Sequence, residues 1–587
     1  MDQSGSREDT IASDTGGATP DRSGRRRANA ETFLRFLALI VSFLIALVPL
    51  VTAAQTPGGV PFQVTIDQNA IMRQYAPPLT RPKSLGGTMG APIAGIPAEQ
   101  LGETSFRLAS VDVEGAITLN PSLFTPLWRG LIGKQITLLD IKAVLEGIED
   151  IYRQNDYRAA AIVPRQDFAT GRITVVVYEF YIKELLIKGD TKRLRGRLDP
   201  FFDRITEMRP MRASLVYRYL LLAEDQAGIS IYGEVVRIDN EPGAIRIELT
   251  ITFKPGNLTL GLDNYGPKDA GPLQAQANAR VNDIFGMLES TDILVVTNPA
   301  APDQLAFVNW AQLFPMGTTG FSFNYFVGQS WSAPGGLSRL VQLNSKVLNF
   351  GASLNYALLR SQERNVILNA GVFGNDSSVD ILQQAVTRDR ARWVAIGAKY
   401  DDELFGVKFI LNPGYLKGVD AFGSNLPNDT YNFAALTLNG VLTANLTDTL
   451  SAKVLFNGQL ALTTLPAAVI ATYGGLGFGQ AFDPGAIAGN SAVLVSGELA
   501  HTIPTGLSWL QDLSLFVYGD YGAVWNPPGV AYPYASLASL GFGVRVGVGE
   551  RLIATGLVAQ PLWYDAELAA IGIEQQTRYR FTIGLRF

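Results

Sequence analysis

From Pro255 to the end of the chain, apolar and polar residues alternate with a period of two. In the last ten residues Tyr579, Phe581, Ile583, Leu585 and Phe587 fall on one face. Arg578, Arg580, Thr582, Gly584 and Arg586 fall on the other. A period of two predicts β-strands with one apolar and one polar face. Leu258, Leu260 and Leu262 repeat the pattern. So do Leu273, Ala275, Ala277, Ala279 and Val281, which alternate with Gln274, Gln276, Asn278, Arg280 and Asn282. A face made wholly of amides and a guanidinium cannot line a dry core. It needs water or a polar loop beside it, and an apolar outside over a polar inside marks a membrane barrel. At roughly 20 residues per strand and connection, with membrane strands of about 10 residues, residues 255–587 predict about 16 strands. Such a barrel has room for an aqueous lumen.

Ahead of residue 255 the period changes. Ile141, Val144, Leu145, Ile148 and Tyr152 keep helical spacing, and Thr137 with Asp140 three residues on forms a helix start. Strands are expected at 106–113, 160–163 and 173–177. A second unit follows, with strands at 182–188, 229–236 and 244–253 and a helix carrying Leu215, Tyr219 and Leu222. The pattern thus divides into two α/β modules, 105–181 and 182–254, and a barrel, 255–587. Residues 55–104 are rich in Pro and Gly and read as a linker, with Ile66 to Tyr75 as a candidate plug helix. Residues 1–54 run from polar through basic (Arg22, Arg25, Arg26, Arg27, Arg35) to apolar and end in Thr52-Ala53-Ala54. That is the order of a secretory signal peptide.

Composition narrows the picture. Of the 587 residues 47% are hydrophobic and only 17% charged, and 59 are glycine. Yet after residue 54 no apolar run reaches the length of about 18 that a spanning helix needs. There is no cysteine, so disulfides, zinc thiolates and thiol catalysis are excluded. A net charge of −5 gives no case for nucleic acid. The single histidine, His501, sits near a strand end, no nucleophile motif accompanies it, and the carboxylates show no metal-ligand spacing. No enzyme and no cofactor are expected.

Several motifs carry a family resemblance. Gly133-Lys134, the following helix, Asn155-Asp156-Tyr157 and Val163-Pro164-Arg165-Gln166-Asp167-Phe168 resemble the first POTRA domain of two-partner (type Vb) secretion transporters. These are the ShlB/FhaC/HecB-like haemolysin secretion/activation family of the Omp85 superfamily. Leu220 to Asp225 running into Gly228-Ile229 resembles the second POTRA domain, and Asp263-Asn264-Tyr265-Gly266 the entry to the barrel. The resemblance implies α+β POTRA modules in the periplasm and a transmembrane antiparallel β-barrel in the bacterial outer membrane. Its partners would be a secreted haemolysin- or haemagglutinin-like exoprotein client, outer-membrane lipid and, during biogenesis, the barrel-assembly machinery that reads a last strand like this one. An Omp85-type assembly factor is the rival reading, and a general porin a weaker one.

The resemblance also implies an inward-folded loop at Gly474-Gly475 and Phe478-Gly479-Gln480-Ala481-Phe482-Asp483-Pro484, with Asp520 as its partner on the barrel wall. In the family an Arg of this loop pairs with a wall acid. Here Gln480 replaces that Arg, Ala481 the following Gly, and Asn490 a usual acid. A Gln480–Asp520 hydrogen bond would be weaker than a bidentate ion pair, and Arg545 is a candidate substitute for the missing cation.

Overall fold

A computed structural model describes residues 101–587 except 103, 190–192, 239–240, 427–429, 531, 565–567, 569–572 and 574. The expected signal peptide and plug helix lie outside the described residues.

The first module is a three-stranded sheet with Arg172–Glu179 at its centre, parallel to Ser110–Glu114 and antiparallel to Ala159–Ile162. The helix Leu138–Gln154 covers it. Its Ile141, Val144, Leu145, Ile148 and Tyr152 are buried, the stripe that the spacing predicts. The Thr137 amide and hydroxyl both donate to the Asp140 carboxylate, at 2.7 and 2.9 Å, which fixes the helix start. At the other end the Tyr152 hydroxyl donates to Glu179 at 2.8 Å. That carboxylate also takes the Ile117 and Thr118 amides, so helix, sheet and connecting loop meet on one acid. Burial pushes the Tyr152 phenol well above its ordinary range.

The second module has the same sheet plan. Ala244–Phe253 is central, parallel to Tyr181–Lys188 and antiparallel to Ile229–Arg237. Two helices pack on it, Arg195–Thr206 and Ala213–Glu224, where the sequence reading expected one. The unexpected helix contains Pro200 and begins with a basic run, which masks its pattern. Its Leu198, Phe201, Phe202 and Ile205 are nevertheless buried at helical spacing.

Sixteen of the remaining strands form one closed barrel, each antiparallel to its neighbours. The first strand, Gly256–Asp263, pairs with the last, Arg578–Arg586. Pairing runs to the final residue: the Phe587 amide donates to Leu258 O at 2.8 Å, and the Leu258 amide returns the bond. Tyr579, Ile583, Leu585 and Phe587 are exposed on the outside while Arg580 is buried inside, so the alternation gives the correct faces. Two long strands, Asn365–Ile381 and Gln384–Leu404, project as a hairpin on the side away from the modules.

The second module is seated on the barrel rim. Leu288 and Ala357, from two barrel turns and strands at that end, belong to its apolar core. Arg218 donates to the carbonyls of Thr319, Ala357 and Leu358 at 3.1, 2.7 and 3.3 Å. Arg360 on the barrel makes a two-pronged pair with Asp225 at 2.8 and 2.7 Å.

Candidate functional site: the loop inside the barrel

Between the barrel strands Leu450–Ala461 and Ser491–Thr502 the chain turns into the lumen. A short ribbon of Ala471–Tyr473 against Ile487–Gly489 carries the segment 474–486. The glycines make the turn possible: Gly474 and Gly479 have φ of 123° and 80°, a region that side chains rarely enter. Tyr473, Ala481, Phe482 and Ile487 are buried against the inner wall, in a cluster with Leu494, Phe516, Tyr518 and Leu557. Gly522 on the wall lies flat beneath the Tyr473 ring, and a Cβ there would overlap it. The expected inward loop and its residues Gln480, Phe482 and Asp483 are therefore inside the barrel.

Asp520, on the strand Leu510–Trp525, points inward and is 5% exposed. Leu515, Val517 and Tyr521 on the same strand face outward, as their parity predicts, while Ala523 on their side is buried. One Asp520 oxygen accepts the Tyr473 hydroxyl at 2.6 Å and the Ser539 hydroxyl. The other accepts the backbone amides of Gly479 and Gln480 at 3.0 and 3.2 Å. Asp520 does hold the loop, but through main chain and hydroxyls. The Gln480 side chain does not reach it; its amide oxygen accepts the Tyr265 hydroxyl at 2.8 Å instead.

The cations of the site come from the last strand. Arg580 is 5% exposed and donates to three carbonyls: Asn264 at 2.6 Å, Phe482 at 3.1 Å and Gln480 at 3.2 Å. Its guanidinium lies 5.0 Å from the centre of the Tyr265 ring. Arg578 grips both oxygens of Asp483, at 2.5 and 3.3 Å. The charge pattern is inverted relative to the expectation, with the acid on the loop and the arginines on the wall. Arg545 does not stand in for the missing loop cation. It pairs with both oxygens of Glu498 at 3.1 Å and stacks on Phe516. Sequence reasoning placed Arg578 and Arg580 on the inner face, along the client path or against the inserted loop, but named no partner residue for them. Their spacing of two beside an acidic loop was the available signal.

Beside the loop lies a cavity of about 370 Å³, lined by Gln276, Lys453, Ser496, Glu498, Arg545 and Thr555 among others. Its walls carry both signs of charge and are wettable, as the polar inner face of the strands requires.

This arrangement can be set beside known proteins. A family model described as "Haemolysin secretion/activation protein ShlB/FhaC/HecB" matches residues 243–546, more than half of the chain. The chain belongs to that family. A second model, "POTRA domain, ShlB-type", matches residues 106–179, the first module. Among relatives of the haemolysin secretion/activation family, the chain is 22% identical over 460 residues to the heme/hemopexin transporter protein HuxB of Haemophilus influenzae (strain 86-028NP). That match covers 73% of this chain and 76% of HuxB. It is 23% identical over 496 residues to the outer membrane transporter CdiB-2 of Burkholderia pseudomallei, covering 76% and 79%. The solved structure of CdiB from Escherichia coli superposes with a TM-score of 0.69 at 16% identity, covering 85% of this chain and 94% of that one. At that identity the superposition establishes the shared fold. Membership places this chain among outer-membrane two-partner secretion transporters.

Proposed function

We propose that this chain exports a large partner exoprotein from the periplasm through its barrel, and that the loop around Gln480 keeps the barrel shut between clients. The observation that carries the reading is the loop itself. It lies inside the barrel against the wall, yet polar contacts to Asp520, Arg578 and Arg580 provide much of its anchorage, and these can be exchanged for water. A diffusion pore has no use for such a loop, nor for two α/β modules ahead of the barrel, the second of them seated on its rim. The modules lie in the periplasm in this reading. The outer strands Tyr181–Lys188 and Ile229–Arg237 of the second sheet offer edges to which an extended client adds by backbone hydrogen bonds, with little demand on its sequence. The client then passes the wetted wall as the loop moves aside.

The test is deletion of the gene followed by comparison of secreted and surface proteins. Disappearance of one large exoprotein, with other outer-membrane barrels unchanged, is the expected result. If no exoprotein is lost and other barrels fail to assemble, the chain is an assembly factor.

A further inference from the structure

The turn between the second and third barrel strands, Asp283–Glu289, lies at the end of the barrel where the second module is seated. Its backbone is held from within. The Glu289 carboxylate, fully buried, accepts the Phe285 and Met287 amides at 2.7 and 3.0 Å. Asp283 accepts the Leu288 amide at 2.9 Å. Leu288 enters the apolar core of the second module, and its carbonyl accepts the Ala227 amide at 3.1 Å. With these groups turned inward, the tip presents Ile284, Phe285 and Met287 outward, 50%, 60% and 58% exposed. Three large apolar side chains within four residues at that exposure are costly in water.

Their surroundings say what covers them. The Phe285 ring lies 6.4 Å from Phe314, which stacks at 6.4 Å on Tyr325, itself 6.2 Å from Phe323. Phe314 and Tyr325 share the outer face of their strands with the exposed Trp310 and Val327. The tip is thus the continuation of the lipid-facing wall, at the level where aromatic girdles mark the membrane boundary. The charges agree. The carboxylates of Asp283 and Glu289 are buried, whereas Arg193, which reaches Asp283 from the second module at 3.3 Å, keeps most of its side chain in the open. Arg197 holds the same carboxylate. An apolar tip beside an exposed guanidinium matches the boundary between acyl chains and phosphates.

We infer that Ile284, Phe285 and Met287 are a membrane anchor. They sit among the upper acyl chains of the bilayer leaflet on the module side, with Arg193 at the phosphate level, and so tie the second module to the lipid as well as to the barrel. The inference rests on the barrel lying in the outer membrane and not on what it exports.

The natural chain lacks cysteine, so Met287→Cys creates a single labelling site. The full chain, labelled there with a fluorophore and reconstituted in phospholipid nanodiscs, is compared with an Ile117→Cys control on the exposed loop of the first module. Lipids carrying a shallow nitroxide are expected to quench the label at 287 and not the control, while aqueous iodide quenches only the control. Adding Phe285→Asp is expected to abolish the nitroxide quenching at 287. Equal iodide quenching of both labels overturns the inference, and so does a label at 287 shielded from both quenchers, which would mean that protein covers the tip. Heat-modifiable gel migration confirms that each variant has a folded barrel. A transporter that exports nothing would still give the same quenching, so this inference and the export reading fail separately.

Discussion

Asp520 is an acid with four donors and no guanidinium at its oxygens: two hydroxyls and two backbone amides take the place that a loop arginine would fill. Charge-assisted bonds from backbone N–H groups are strong and do not depend on side-chain identity, which explains how Gln480 is tolerated where an arginine was expected. The compensating cation is Arg580, whose planar fork reaches three carbonyls on two segments. A lysine ammonium has one point of charge and no fork. Arg580→Lys is therefore expected to release the loop nearly as well as Arg580→Leu. Each lost bond to a buried carbonyl costs about 1–3 kcal/mol. Arg578→Leu, which removes an ion pair with Asp483 that is more exposed than Arg580, is expected to do less. Single-channel recording in planar bilayers checks this order: open time rises most for the two Arg580 variants. Longer closed times for Arg580→Lys than for Arg578→Leu would contradict it.

At the scale of elements, the barrel strands were legible because lipid outside and water inside impose one rule on every second residue. The helix Leu138–Gln154 was legible for the matching reason, an unbroken apolar stripe after a capping pair. Arg195–Thr206 was not: Pro200 suggests a break, and only Leu198, Phe201, Phe202 and Ile205 together betray the period. The loop's position was legible through glycines and resemblance, and the side of the wall on which Asp520 stands through parity. Its partners were not, because backbone amides and carbonyls leave no mark in a side-chain pattern. One half-buried acid permits a test of the first module. Glu149 accepts the Ala161 amide at 3.0 Å, and its pKa is raised, chiefly by burial. A carboxyl whose folded pKa lies above its unfolded value costs no stability at pH below both. The cost appears as pH rises through them, as the folded form ionises less readily than the unfolded. Glu149→Gln keeps the acceptor and removes the charge. It is expected to slow hydrogen exchange in Leu138–Gln154 and Ala159–Ile162 at neutral pH relative to the parent, with the difference vanishing near pH 3.5. A difference that persists at the acid end would assign the effect to packing.

At the scale of the whole molecule, the second module and the barrel are one mechanical unit, because apolar residues of the barrel rim complete the core of that module. Asp225 and Arg360 secure that seat. Asp225→Ala strips a two-pronged partner from an arginine that is largely buried, at a cost of about 1–3 kcal/mol. Faster hydrogen exchange in Ala213–Glu224 and lower export, with unchanged heat-modifiable migration of the barrel, are the expected outcomes. Unaltered exchange would show that the apolar contacts suffice. The last strand ties the molecule together in a further way. It meets the first strand through Phe587 and Leu258, and it carries Arg578 and Arg580, which grip the loop. Closure of the wall and fastening of the loop thus depend on the same strand. A ring in which this strand is unpaired lacks both closure and the arginines that hold the loop, and pairing supplies both together. A change that unpairs the last strand from the first is therefore expected to loosen the loop together with the ring, so that the two cannot be weakened separately at this seam.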